Sequence, residues 1–523
     1  MSQIIPFTVS EVSNVTVGAI NASGANTKAS GGGAYRFGGI VLSQSGEPNK
    51  VYAVNGDNYQ SILGKPLHPV KGTGALSMRY LKEALSSGDG FVVPVVGSDA
   101  KRPVIGVKAP VLEDPAHVAV ARVVDFGIEV STEVDELMAI YPVDGDVTNR
   151  AISIVPVLDK AGYFTLTITK NYASGSTEKQ LEQVVSFDPE ATDEFGDSAY
   201  IADVLEKTKL VSIVFSATFD PVEFGTLNDV QFTGGTRGDL NNVQALDYTK
   251  AITALRNFSG AYEAVLPLGT QDPVIIKDLQ GIARDRRIDA FFDVPPTLTY
   301  EAAIAWMESS AFDSQESCFY HFPYKATDLF FSGAKAVWGI SSIAYGAKVK
   351  GVQSTSSSVG GYHYSPAGTE RGTITRSGIE PLANIGEPDF GAMVKARINK
   401  LSTDDGKLII DDALTATGTN TYLKFQHVVS MFNSMSRRFY SAAMKLKHQP
   451  DGITIAALND IMRDIGEDYD AVGALSKPRN PEDGDLPFTW DIKQADIDLF
   501  EVVFYACPTG SSRRIAGYPV VLK

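Results

Sequence analysis

Cysteine is nearly absent from this chain of 523 residues: only Cys318 and Cys507 are present. Two thiols cannot build a disulfide framework, so the sequence reads as one made for a reducing cytoplasm. Long apolar runs are missing as well. The longest are interrupted well short of membrane-spanning length, and residues 1–6 carry no signal-peptide pattern, so no membrane insertion is expected. A basic excess is lacking too: 46 Lys and Arg stand against 62 Asp and Glu, a net charge of −16. Nucleic-acid binding as a primary role needs a basic footprint and is therefore not expected.

What remains is an ordinary globular composition, 44% hydrophobic and 21% charged. The length suffices for roughly three or four domains with buried cores. The negative charge is concentrated. Residues 98–227 hold 22 Asp and Glu against 10 Lys and Arg, so 12 of the 16 excess charges fall in one quarter of the chain. That segment also changes texture. Runs at 118–124, 151–155 and 163–168 alternate or stay apolar between turns, with one short helix expected near 200–205.

On either side the pattern alternates between strand and helix. A strand at 35–42, a helix at 74–87 and a strand at 91–96 precede the acidic segment. Helices at 243–258, 273–286 and 299–310 alternate with strands at 264–267, 288–293 and 317–321, followed by a helix at 334–348. This spacing favours a βαβ layer with parallel strands. The acidic segment is then a mostly β domain inserted into an α/β one. Further on, Phe425, Val428, Val429, Phe432, Met435 and Phe439 recur at helical spacing, and Pro450-Asp451-Gly452 closes that helix. A second helix is expected over 454–470. Phe488, Trp490 and Ile492 alternate with polar residues, as in a half-buried strand.

Both ends of the sequence carry strand-like runs with no evident partner: 7–9 and 15–17, then 499–505 and 515–522. Single-stranded arms of this kind are candidates for pairing with a neighbour's sheet, which points to a polymer-forming structural protein.

No set of residues promises chemistry. Ser30-Gly31-Gly32-Gly33 lacks a following Lys-Ser/Thr, and Gly64-Lys65 runs into Pro66, so there is no P-loop. Thr233-Gly234-Gly235-Thr236-Arg237-Gly238 precedes a helix but belongs to no strand–Gly-x-Gly-x-x-Gly–helix unit, and it is expected to be a structural turn. Cys318 and His321 have ligand-like spacing and His363 is a possible third member, without the second pair that a zinc site needs. His427 is expected at a surface or in packing. Asp404-Asp405, Asp411-Asp412 and Asp483/Asp485 read as turn residues. Neither a Gly-x-Ser-x-Gly elbow nor a Cys–His signature occurs. No catalytic, metal or cofactor site is expected. The competing enzyme reading would use the cleft near Gly234–Gly238 and the ends of strands 264–267 and 288–293.

Four local patterns, in order, resemble the contractile-tail (myovirus-type) phage sheath family. They are Tyr35–Gly39 with Tyr59-Gln60-Ser61-Ile62-Leu63-Gly64; Thr233–Gly238 with Asp247-Tyr248 and the helix after it; Ser365-Pro366-Ala367-Gly368 with Arg371-Gly372; and 406–415 before the helix carrying Arg437-Arg438. The resemblance implies an α+β / α/β multidomain chain. Its parts would be an N-terminal linking arm (1–25), an α/β core (26–97 plus 228–355), an acidic β-rich outer domain (98–227), an inner α+β polymerisation domain facing the tube (356–510) and a C-terminal linking arm (511–523).

It further implies a non-enzymatic subunit of six-fold rings stacked around an inner tail tube, contracting for genome delivery. Partners would be copies of itself, the tube protein, and the baseplate and tail terminator proteins. The place of action would be the virion tail, after assembly in the host bacterial cytoplasm. A sheath of a related injection or secretion machine fits the same residues. Under this reading Phe7, Val9, Val15, Val17, Ile515, Tyr518, Val520 and Leu522 link subunits. Phe488, Trp490, Ile492, Val502 and Phe504 lie in the receiving sheet, while Gly18, Gly510 and Gly517 act as hinges. Pro519 lacks a backbone donor, so strand 515–522 is expected to pair on one side there.

Overall fold

A computed structural model describes residues 35–110, 116–147, 149–172, 174–221, 224–355 and 359–510. Phe7, Val9, Val15, Val17, Gly18, Ile515, Gly517, Tyr518, Val520 and Leu522 lie outside the described residues.

The centre is a seven-stranded sheet in the order Ile398–Asn399, Ser317–Tyr320, Asp289–Asp293, Ala264–Leu266, Phe37–Leu42, Gly90–Val95 and Tyr52–Val54. Every neighbouring pair is parallel except the last, where Tyr52–Val54 runs against Gly90–Val95. Parallel strands must be covered on both faces, and the alternation of side chains shows how. Ile40, Val265 and Phe292 face the helices Ala245–Asn257, Pro273–Arg286 and Tyr300–Ser310. Phe37, Leu266 and Phe291 face the helices Ser77–Leu85 and Ser341–Gln353 and, beyond them, the C-terminal third of the chain. The architecture is mixed α/β, with ten α-helices among the described residues.

Residues 101–231 form two four-stranded antiparallel sheets. One has the order Val211–Phe215, Glu136–Pro142, Lys101–Lys108, Val118–Asp125; the other Leu227–Gln231, Arg150–Pro156, Tyr163–Asn171, Thr177–Ser186. Helix Ile201–Thr208 packs with them over a shared apolar core that includes Ile105, Ile140, Ile154, Leu166 and Leu205. The two ends of this unit meet. Lys101 and Thr236 exchange both backbone hydrogen bonds, at 2.8 and 2.9 Å.

Two sequence expectations are corrected. The helix expected at 334–348 runs from Ser341 to Gln353, and Lys335–Ala336 is a short strand. Its start is set by a residue far away in sequence: the Asp293 carboxylate accepts from the amides of Ile340 (2.7 Å) and Ser341 (3.0 Å). Just before it, the indole of buried Trp338 donates to Glu83, and Gly339 donates its amide to the Tyr80 hydroxyl. Asp451 and Gly452, read as a terminator, instead open the helix Asp451–Ala471, with Pro450 as its N-cap.

Candidate assembly surface

The last described elements are strands Phe488–Asp496 and Leu499–Ala506, paired antiparallel from Phe488↔Ala506 through Trp490↔Phe504 and Ile492↔Val502. Alternation gives this hairpin two unlike faces. Phe488, Trp490, Ile492, Phe500, Val502 and Phe504 turn inward onto the helices Gln426–Ala443 and Asp451–Ala471. The ring centroids of Phe439 and Phe504 are 5.5 Å apart, and the Trp490 indole donates to the Asn459 side chain at 3.0 Å. Gly466 is required here, because an added Cβ would sit 2.5 Å from the Phe488 ring. Thr489, Asp491 and Lys493 face the other way, with Glu501, Val503 and Tyr505 opposite them.

All five residues read from the sequence as receiving-sheet positions therefore share one face, the anchored one. Their side chains hold the hairpin to its helices. What the hairpin leaves for pairing is main chain: it is a two-stranded sheet, and among the described residues no third strand joins either side. Exposed Gly510 follows a segment tied to residues 474–476, where Ser476 donates to the Cys507 carbonyl (3.0 Å) and Thr509 to the Ala474 carbonyl (2.9 Å).

The helix Gln426–Ala443 is buried on more than its apolar stripe. Gln426, His427, Ser430, Asn433 and Ser434 are all buried, at near i, i+4, i+7 spacing. Ser430 donates to Asp289 at 2.7 Å, Ser434 pairs with the Tyr469 hydroxyl at 2.9 Å, and Arg437 donates to the Arg287 carbonyl. The apolar periodicity concealed this second, polar stripe. The run Gln426, Ser430, Asn433, Arg437 was the signal that could have shown it. Beside it, Lys348 is buried and donates to the carbonyls of Tyr362 (2.5 Å) and Tyr364 (3.1 Å), and burial pushes its ammonium down to about 8.

Cys318, His321 and His363 are buried, and among the described residues no group of three or more potential ligands is placed to hold a metal ion. Burial lowers His321 and His363 to about 4, and His427, buried rather than at a surface, to about 3. In the 233–238 turn, Asp99 accepts the Asp239 amide at 2.9 Å, and the Thr236 hydroxyl accepts the Gly238 amide at 3.0 Å. Gly235 leaves no room for a Cβ, which would come 2.8 Å from the Val147 carbonyl. The amide cluster at the start of helix Ser341–Gln353, next to the end of strand 289–293, is filled by Asp293 itself. Asp405-Gly406 form a hairpin turn with φ of +46° and +72°. Asp411 pairs with Lys400, and Asp485 with Lys477.

No protein-family model matches the chain, and no curated protein matches it. Among solved structures it is similar to a sheath tail protein from Desulfitobacterium hafniense (13% identity, 94% of this chain and 96% of that one, TM-score 0.48). It is also similar to a sheath tail protein from Listeria innocua (12% identity, 92% and 96%, TM-score 0.49). A third similar structure is a chain of the anti-feeding prophage baseplate (9% identity, 98% and 100%, TM-score 0.46).

Proposed function

We propose that this chain is a structural subunit of a contractile tail sheath. In this reading it polymerises as stacked six-fold rings around an inner tube and contracts to drive the tube through a host envelope. Residues 1–21 and 515–523 are the linking strands, and the 488–506 hairpin receives a neighbour's strands. One observation carries the reading: a hairpin locked by one face to two helices whose strands have no further partner strand among the described residues. Such an edge is a ready template for an added strand. Each main-chain hydrogen bond added there contributes about 1 kcal/mol net, which repetition over a polymer multiplies. The four sequence patterns support the family. They fit equally a phage tail and a related injection machine.

The subunit is read as non-enzymatic. The places where an α/β enzyme would bind an anion are taken by the chain's own Asp293 and Asp99. A thermal-shift screen against nucleotides and phosphates should give no stabilisation, and a clear shift with one of them would favour the enzyme.

The direct test is truncation. Removing 1–21 or 511–523 should leave a folded subunit that forms no tubes or rings under negative-stain microscopy. Tubes of normal appearance and normal contraction from either truncation would overturn the linking-arm reading.

A further inference from the structure

The first described residue is also among the most deeply held. Tyr35 is 2% exposed, and its hydroxyl donates to the Asp289 carboxylate. Its ring stacks on Tyr345 at 5.7 Å and meets Tyr362 at 5.8 Å, while its carbonyl accepts from the Tyr345 hydroxyl at 2.9 Å. The same Asp289 oxygen that takes the Tyr35 hydroxyl also takes the Ser430 hydroxyl, at 2.7 Å. Ser430 belongs to helix Gln426–Ala443, whose Phe439 packs on Phe504 of the hairpin. One buried carboxylate oxygen thus joins the root of the N-terminal segment to the helix supporting the hairpin.

We propose that Tyr35, Asp289 and Ser430 form a coupling device, through which displacement at the root of the N-terminal segment loosens the support of the 488–506 hairpin, and the reverse. Asp289 lies at the start of a central strand and is 3% exposed. Withdrawing either hydroxyl leaves a buried carboxylate with one donor fewer, and the other hydroxyl is then the direct donor left to compensate. The nearby Lys348 and Arg437 are occupied by the carbonyls of Tyr362 and Tyr364 and of Arg287. On the linking-arm reading, on which its biological meaning rests, the device lets a subunit register at its acceptor edge whether its own arm is under tension.

Hydrogen exchange on the full-length free subunit tests the coupling without any polymer. Tyr35→Phe should speed exchange at 37–42 and also at 426–443 and 488–506, by about tenfold, the factor equivalent to about 1.4 kcal/mol. Ser430→Ala should speed exchange at 37–42 in return. The sheets of 101–231 should be unchanged in both. If Tyr35→Phe acts only at 37–42, or if exchange rises equally in 101–231, the coupling is absent. Failure of tube formation in the intact protein would overturn the sheath reading while leaving this result standing.

Discussion

Phe439 on the long helix and Phe504 on the final strand form a ring pair 5.5 Å apart, 7% and 2% exposed, at the centre of the contact that holds the hairpin. Burial of both rings makes this pair one of the apolar ties between hairpin and helices. Phe504→Ala should cost about 3–5 kcal/mol in denaturant unfolding. The double change with Phe439→Ala should cost less than the sum of the singles, by about 1 kcal/mol, because both remove one contact. Strict additivity would mean that the rings are held independently. If the hairpin is the acceptor edge, Phe504→Ala should also weaken assembly more than it weakens the fold elsewhere.

Acid should act on two buried groups in opposite directions. His427 is lowered from 6.5 to about 3, first by burial and then by Lys348 and His363. Between those values the unfolded chain binds a proton that the folded one refuses, so stability falls as pH falls through that window. Asp293 is raised from 3.8 to about 6 by burial, despite the amide hydrogen bonds it accepts. Across that window the folded state holds the extra proton, so its contribution to stability rises as pH falls. His427→Gln should flatten the acid loss by up to about 1.4 kcal/mol per pH unit, and Asp293→Asn should steepen it. Urea titrations at several pH values read both slopes. Equal slopes in wild type and His427→Gln would show that this imidazole does not govern acid sensitivity.

The meeting of Lys101 with Thr236 predicts that the β-rich unit can be removed cleanly. Replacing residues 102–235 by a short Gly-Ser linker should leave a cooperative unfolding transition for the rest. On the sheath reading the unit projects outward, so rings should still form. Loss of all assembly by a well-folded deletion would count against that outward placement.

The legible parts of the chain were those where local pattern and burial agree. Parallel strands such as Asp289–Asp293 are buried on both sides and appear as short apolar runs. The hairpin alternates because only one of its faces is covered. Strand Thr177–Ser186 was missed because its edge position lets Glu178, Lys179 and Glu182 sit in solvent, so cross-strand pairing rather than pattern makes it a strand. Strand Lys101–Lys108 hides for another reason: it lies between two neighbours and is almost wholly buried, but it begins Lys-Arg-Pro, and a Pro inside a run argues against a strand. The start of helix Ser341–Gln353 depends on Asp293, almost fifty residues earlier, and no local rule contains that contact. Of the candidate surface, the anchored face was legible and its polar backing was not.

Arg237 fastens the β-rich unit to the central domain. The residue is 5% exposed, and its guanidinium donates to the carbonyls of Gly46 (2.8 Å), Ser43 (3.2 Å), Gly145 (3.2 Å) and Ser45 (3.3 Å), while burial pushes it down to about 10. Three of those carbonyls belong to the loop after strand Phe37–Leu42 and one to the β-rich unit, so a single side chain bridges both. Only a planar fork with several donors can satisfy carbonyls spread in this way. Arg237→Ala should cost about 2–4 kcal/mol, since buried carbonyls lose their donor. Arg237→Lys should recover only part of this, because an ammonium cannot reach all four. Limited proteolysis should then cut within 43–47 or 237–244, sites protected in the wild type. A cost below about 1 kcal/mol with no new cleavage would show that the joint is held by its other contacts, the Lys101–Thr236 pairing and the Arg102–Glu47 ion pair among them.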